Sequence, residues 1–235
     1  MRASEGLEAR DRPRGVGSVV LFSGGLDSAV LLAAERRDRE VVWPVHVRAG
    51  LAWEDAEASA IGRLLAAPPL SGRLRPLATL VVDMRDVYPP THWAVAGHAP
   101  AYATPDEDVY LEGRNIILIS KAAVFCAGIG ANRIVLGPLA GNPFPDATAA
   151  FFDAIGRAVS LGLARPIEVA APFAHLRKEQ VIALGTALGV PLDRTLSCMS
   201  PVEGRHCGRC SKCRERQQAF TAADVADPTA YDQSR

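Results

Sequence analysis

The chain has 235 residues with 26 basic and 26 acidic side chains, so its formal net charge is zero. That balance excludes a broad electrostatic grip on nucleic acid, and no apolar run reaches the length of a membrane span. The length suits one α/β domain with at most a small appended module, and the five cysteines, four of them between residues 198 and 213, suit a metal site better than a disulfide framework.

Residues 1–17 carry Arg, Glu, Asp, Pro and Gly without periodicity, which predicts a flexible arm rather than a signal peptide, in a cytoplasmic protein. The stretch from Val19 to Leu32 reads as a short buried strand, a glycine turn and a helix. Gly24 and Gly25 let consecutive N–H groups turn toward one anion, the helix start adds its positive end, and Ser23 and Ser28 add hydroxyls. No lysine follows the glycines, so this is not the Walker loop of P-loop NTPases. Ser-Gly-Gly-Leu-Asp-Ser instead resembles the signature of the ATP pyrophosphatase, or PP-loop, superfamily. The resemblance implies an adenine nucleotide alpha hydrolase-like fold: α/β, doubly wound, with a mostly parallel sheet. It also implies that ATP is held by Leu21, Phe22, Ser23, Gly24, Gly25, Leu26, Asp27 and Ser28, with Asp27 acting through Mg²⁺ or by fixing the loop.

Ala29–Arg37 reads as a helix and Val41–Val47 as a second strand, so strand-helix-strand repeats predict a parallel sheet with its ligand beyond the strand carboxyl ends. The superfamily resemblance places adenine against the backbone at Val47. His46 reads as a satisfied core histidine rather than a base. A helix is expected over Leu51–Ala67 and a strand over Leu77–Met84. An irregular, proline-rich excursion follows from Val87 to Asp108, whose His92 and His98 lack the partners of a metal site. Gly113-Arg114-Asn115 opens a long helix to about Gly130, placing an arginine fork where it can meet polyphosphate and an asparagine that can cap the helix or reach a ligand. Arg133–Pro138 is a further strand, ending at Gly137 where a ligand can approach closely.

Four thiolates at Cys198, Cys207, Cys210 and Cys213 can close a tetrahedron around one structural Zn²⁺. A full set leaves His206 no position, so it is expected to be exposed, and Cys126 reads as a core thiol. The phosphate loop, Gly-Arg-Asn, Ile-Val-Leu-Gly, Pro172–Glu179, Leu188-Gly189-Val190-Pro191 and this cysteine segment together resemble the 7-cyano-7-deazaguanine synthase (QueC) family. The resemblance implies an adenylating ligase that uses ATP, a small-molecule carboxylate and ammonia, with a homodimer and no stable nucleic-acid partner expected. Asp27, Arg114 and Lys178 are the expected catalytic groups, while Asn115, Asn142, Asp146 and Phe151 are expected substrate contacts by location. Two segments, Arg48–Glu54 and Gly141–Thr148, depart from the family pattern and leave open another acid or another amine. Thiolation of tRNA and a zinc-ribbon nucleic-acid module are the other rivals. The expected division is an ATP-binding domain over 18–195, a zinc-binding segment over 196–220 packed on it, and a tail over 221–235.

Overall fold

A computed structural model describes residues 17–233, so the expected arm, but for Gly17, lies outside the described residues. The chain runs β1 (Ser18–Leu21), α1 (Leu26–Asp38), β2 (Val42–Arg48), α2 (Glu54–Leu65), β3 (Ala78–Val81) and the single turn α3 (Trp93–Ala96). It continues through α4 (Arg114–Gly128), β4 (Arg133–Val135), α5 (Ala149–Gly162), β5 (Glu168–Ala170), α6 (Lys178–Ala187) and α7 (Ser211–Ala222). All five strands are parallel, in the order β3-β2-β1-β4-β5.

That order follows from burial. The apolar run of β1 is flanked by β2 and β4, with Val19 paired to Trp43 on one side and Ile134 on the other. A strand buried on both faces can be apolar throughout. Val20 and Val135 turn to the face covered by α1, α2, α6 and α7. Val19 and Ile134 turn to the face covered by α4 and α5. The chain winds outward from β1 to β3, then returns to the other side of β1, so the strand order reverses between β1 and β4 and leaves a crevice there.

The helix after β2 starts at Glu54 rather than Leu51. The Glu54 carboxylate accepts the N–H groups of Ala49 at 2.6 Å and Gly50 at 3.1 Å, and so holds the intervening turn open. Within the expected irregular excursion, α3 and a 3-10 turn at Asp106–Val109 form, and the segment is strapped to α7: Arg214 donates to the carbonyls of Tyr102 and Thr104 and pairs with Asp106.

Residues 227–232 also dock on the body. The N–H of His206 donates to the Ala230 carbonyl at 3.0 Å, and the N–H of Asp232 donates to the His206 carbonyl at 2.7 Å. His206 is therefore buried, contrary to the expectation of exposure: its Nε2 accepts the N–H of Ser197, and its ring packs edge-on against Tyr231. Burial, with Arg216 nearby, pushes its pKa down to about 4, so it stays neutral.

Arg216 is the largest fully buried side chain. Its guanidinium donates to Thr229 Oγ1, Thr195 Oγ1, Ser197 Oγ and the Leu192 carbonyl, joining three separate segments, and lies 5.1 Å from the Phe220 ring. Removing one member of such a network strands the others without water. Arg216→Met is expected to cost about 3–5 kcal/mol, lowering the thermal midpoint by on the order of 10 °C. A melting curve that overlays the wild type would show the network to be dispensable.

Candidate active site and metal centre

The crevice at the strand-order reversal is a cleft of about 430 Å³, inside the roughly 300–1,000 Å³ range of small-molecule sites. Its floor is the Ser23–Ser28 loop. Gly24 holds φ +78°, and a Cβ there would meet Ile61 and the Glu57 carbonyl at 3.1 and 3.3 Å, so a side chain is excluded twice over. Ser23 N–H donates to Ser28 Oγ, Gly25 N–H to Ser23 Oγ, and Ser28 Oγ to the Gly25 carbonyl, which fixes the loop from within. Gly25 caps α1 with no side-chain acceptor, so the first N–H groups of the helix remain available to an anion.

Cations come to this floor from two directions. Lys178, at the start of α6, places Nζ 3.1 Å from Asp27 Oδ2 and 2.5 Å from Glu215 Oε1, and Lys212 reaches Glu215 at 2.8 Å. Burial opposes the charge on Lys178, but the two carboxylates outweigh it and raise its pKa. Burial likewise opposes ionisation of Glu215, yet the two lysines hold it down to about 2. Asp27 keeps Oδ1 buried without a partner. Arg114 enters from α4 behind Gly113, which holds the left-handed φ of +73°, and the Arg114 Nε is also buried without a partner.

Of the residues expected to hold nucleotide, Leu21, Phe22, Ser23, Gly25, Leu26, Asp27, Ser28, Val47, Arg114 and Gly137 line this one cleft, together with Lys178. The expected substrate contacts divide. Asn115, Asn142 and Asp146 line the cleft, but Asn115 and Asp146 are engaged with each other: Asn115 N–H donates to Asp146 Oδ2 at 3.0 Å and its Nδ2 to the Asp146 carbonyl at 3.0 Å. Asn142 Oδ1 accepts the Phe144 N–H, closing its own turn. Phe151 is not among the lining residues. It sits in the first turn of α5, edge-on to Phe152 and packed on the far-face core, and Phe144, stacked on Tyr110, takes the wall position instead.

The four cysteines meet beside the same cleft. Their sulfurs all lie within 4.8 Å of one another, all four residues are buried, and none is in a disulfide. Cys210 is the N-cap of α7 and Cys213 lies in its first turn, where the helix dipole favours thiolates. The N–H groups of Ser200 and Cys207 both point at Cys198 Sγ from 3.3 Å, as donors that orient and stabilise a ligating sulfur do. This donor set fits a closed tetrahedral ion. Leu196, Ser197, Cys198, Met199, Lys212 and Glu215 line the cleft, and the Leu196 N–H bonds the Gly24 carbonyl at 2.8 Å, so the cysteine segment forms one of its walls.

A family model described as "Queuosine biosynthesis protein QueC" matches residues 17–224. The chain belongs to the QueC family. It is 35% identical over 225 residues to the 7-cyano-7-deazaguanine synthase of Anaeromyxobacter dehalogenans (strain 2CP-C), covering 91% of this chain and 95% of that protein. It is 34% identical to the same-named protein of Azoarcus sp. (strain BH72), covering 94% and 98%. The relative from Thiobacillus denitrificans (strain ATCC 25259 / T1) is 33% identical, covering 91% and 97%.

In this QueC-family chain the cleft also holds buried polar residues that no motif marks. His46 is 3% exposed, as a core histidine should be, but it is not satisfied: Nε2 has no partner. Glu57 on α2 is 8% exposed, and it shares the cleft lining with Trp53, Trp93 and Tyr110. The one available signal was the helical spacing of Trp53 and Glu57, which puts them on one face of the helix start. Among the described residues no helix is long and apolar enough to cross a membrane.

Proposed function

We propose that the chain converts 7-carboxy-7-deazaguanine and ammonia to 7-cyano-7-deazaguanine at the expense of ATP, as a carbon–nitrogen ligase releasing AMP and pyrophosphate. The observation that carries this is the convergence, in one cleft at the strand-order reversal, of the serine-glycine loop, Lys178 and Arg114 with the aromatic side chains of Trp53, Trp93, Tyr110 and Phe144. The loop N–H groups and Arg114 receive the polyphosphate. A carboxylate oxygen of the acid then displaces pyrophosphate from the α-phosphorus. Ammonia attacks the acyl-adenylate, AMP leaves, and a second activation of the resulting amide at oxygen expels AMP to give the nitrile. No covalent nucleophile of the protein is needed, since orientation and charge neutralisation supply the rate.

The unpartnered Asp27 Oδ1 fits Mg²⁺ accompanying ATP, which when bound screens the phosphate charge. One Zn²⁺ in the four-cysteine set is structural, because every position is filled by protein. The same reading makes the chain a cytoplasmic homodimer and divides it into an ATP-binding domain over 18–195, a zinc-binding segment over 196–220 and a tail over 221–235. Conjugation to another amine and thiolation of tRNA are not favoured, since relatives covering more than nine-tenths of the chain carry the synthase name.

The test is to incubate purified protein with ATP, Mg²⁺, ammonium and 7-carboxy-7-deazaguanine and to follow products by mass spectrometry. The nitrile should form with two AMP released per turnover, through a transient amide. Pyrophosphate release only with a different acid would replace this substrate with that one.

A further inference from the structure

The cleft is lined by two stacked aromatic pairs, Trp53 with Trp93 at 5.8 Å and Tyr110 with Phe144 at 5.1 Å. Flat walls of this kind suit a planar ring. The polar groups in reach of such a ring are unusual for a site that also holds polyphosphate. Glu57 is buried, among the described residues no ion pair involves it, and the Trp53 indole donates to it. A buried carboxylate in that state is costly unless a ligand supplies donors. The His46 ring donates to the Phe22 carbonyl, so with Nε2 unpartnered the donor is Nδ1, and Nε2 of the neutral ring is a bare acceptor. Burial lowers the His46 pKa, which keeps that acceptor available.

We infer that Glu57 is the specificity-determining acceptor for the donor edge of the substrate ring, with the unpartnered His46 Nε2 a second acceptor lining the same cleft. This rests on the function proposed above. A 2-aminopyrimidinone ring presents two adjacent donors, its ring N–H and its 2-amino group, whereas the corresponding edge of adenine presents one donor and one acceptor. Two acceptors complement the former and leave a mismatch with the latter.

The groups acting on Glu57 are Arg114 from α4, Glu54 from its own helix and the Trp53 indole. Burial dominates and pushes the Glu57 pKa up to about 7, with Arg114 opposing and Glu54 adding to it. The folded state therefore holds the proton more tightly than the unfolded chain. The resulting stability is complete below the unfolded value of 4.5 and is lost as the pH rises through about 7. Glu57→Gln should remove that dependence and melt higher than wild type above pH 7, which also shows that the variant folds.

The test measures binding of ATP and of 7-carboxy-7-deazaguanine by calorimetry, and steady-state kinetics, for wild type, Glu57→Gln and His46→Phe. Glu57→Gln is expected to weaken the acid by about 10²-fold or more with ATP affinity unchanged, and to lose the wild type's preference over the analogue lacking the 2-amino group. His46→Phe should act on the acid in the same direction. Undiminished acid affinity in Glu57→Gln, or a loss falling on ATP instead, overturns the inference while leaving the synthase reading standing. A wild-type protein that binds ATP but not the acid overturns both.

Discussion

Lys178→Met is expected to lower kcat/KM for ATP by about 10²–10³-fold, the size of effect seen when one preorganised charge is removed from a site of developing negative charge. Lys178 Nζ lies between Asp27 and Glu215, at 3.1 and 2.5 Å, and is 13% exposed. Without it Asp27 loses its ion-pair partner and Glu215 keeps one of its two lysines, Lys212, so the variant gains repulsion toward the polyphosphate as well as losing attraction. Glu215 sharpens the test. Its pKa is held down to about 2, so the stability it contributes is present above its ordinary 4.5 and is lost as the pH falls toward 2. In Lys178→Met the Glu215 pKa should rise back toward its ordinary value, so that acid-sensitive contribution shrinks, and adding Glu215→Gln should recover part of the ATP affinity by taking away an acid that Lys212 alone would then oppose. Calorimetric ATP binding across the three proteins decides it. Wild-type affinity in Lys178→Met would make this lysine a strut between α6 and α7 and nothing more.

Stripping the metal, or replacing Cys213 with serine, is expected to remove stability and ATP binding together. Cys213 is 0% exposed and sits in the first turn of α7, next to Lys212, two residues before Glu215 and three before Arg216. Loss of a closed four-thiolate site belongs to the class of changes costing about 4–5 kcal/mol or more, a fall in thermal midpoint on the order of 10–20 °C. The cleft wall should loosen at milder conditions than the sheet, because the wall rests on that one turn of helix while the sheet rests on two cores. Chelation monitored by both melting and nucleotide binding checks this. A chelated protein that still binds ATP as before would separate the two sites.

The parts of the site that could be read from residues alone are those whose geometry closes within a few positions of the chain. Ser23–Ser28 makes its own hydrogen bonds, Gly113-Arg114 needs only one left-handed residue and a helix start, and the three cysteines from 207 to 213 span a single knuckle. What could not be read is what the fold brings together from afar. His46, Glu57, Trp93, Tyr110 and Phe144 come from five segments with no spacing in common. Asn115 and Asp146 have the chemistry of ligand contacts, and nothing local says that residues 31 apart hold each other. His206 reads as exposed because the chain that buries it, residues 230–231, lies beyond any motif, and the same distance hides the partners of Arg216. The helix α5 and strand β5 carry apolar periodicity that could have been found. Phe151 carries the chemistry of a ligand wall, and the helix turns its side chain onto the core beneath α4 and α5.

The nucleotide floor is laid by the first strand and helix, yet one of its walls is α7 and the strap it holds. A ribosome delivers these in the opposite order to their use. The loop at Ser23 leaves the exit tunnel long before Lys212, Glu215 and the last three thiols exist, so a nascent or shortened chain owns the phosphate turn without the enclosure that makes it selective. On the function proposed above, a chain that ends before α7 keeps the loop but not the wall that closes the cleft.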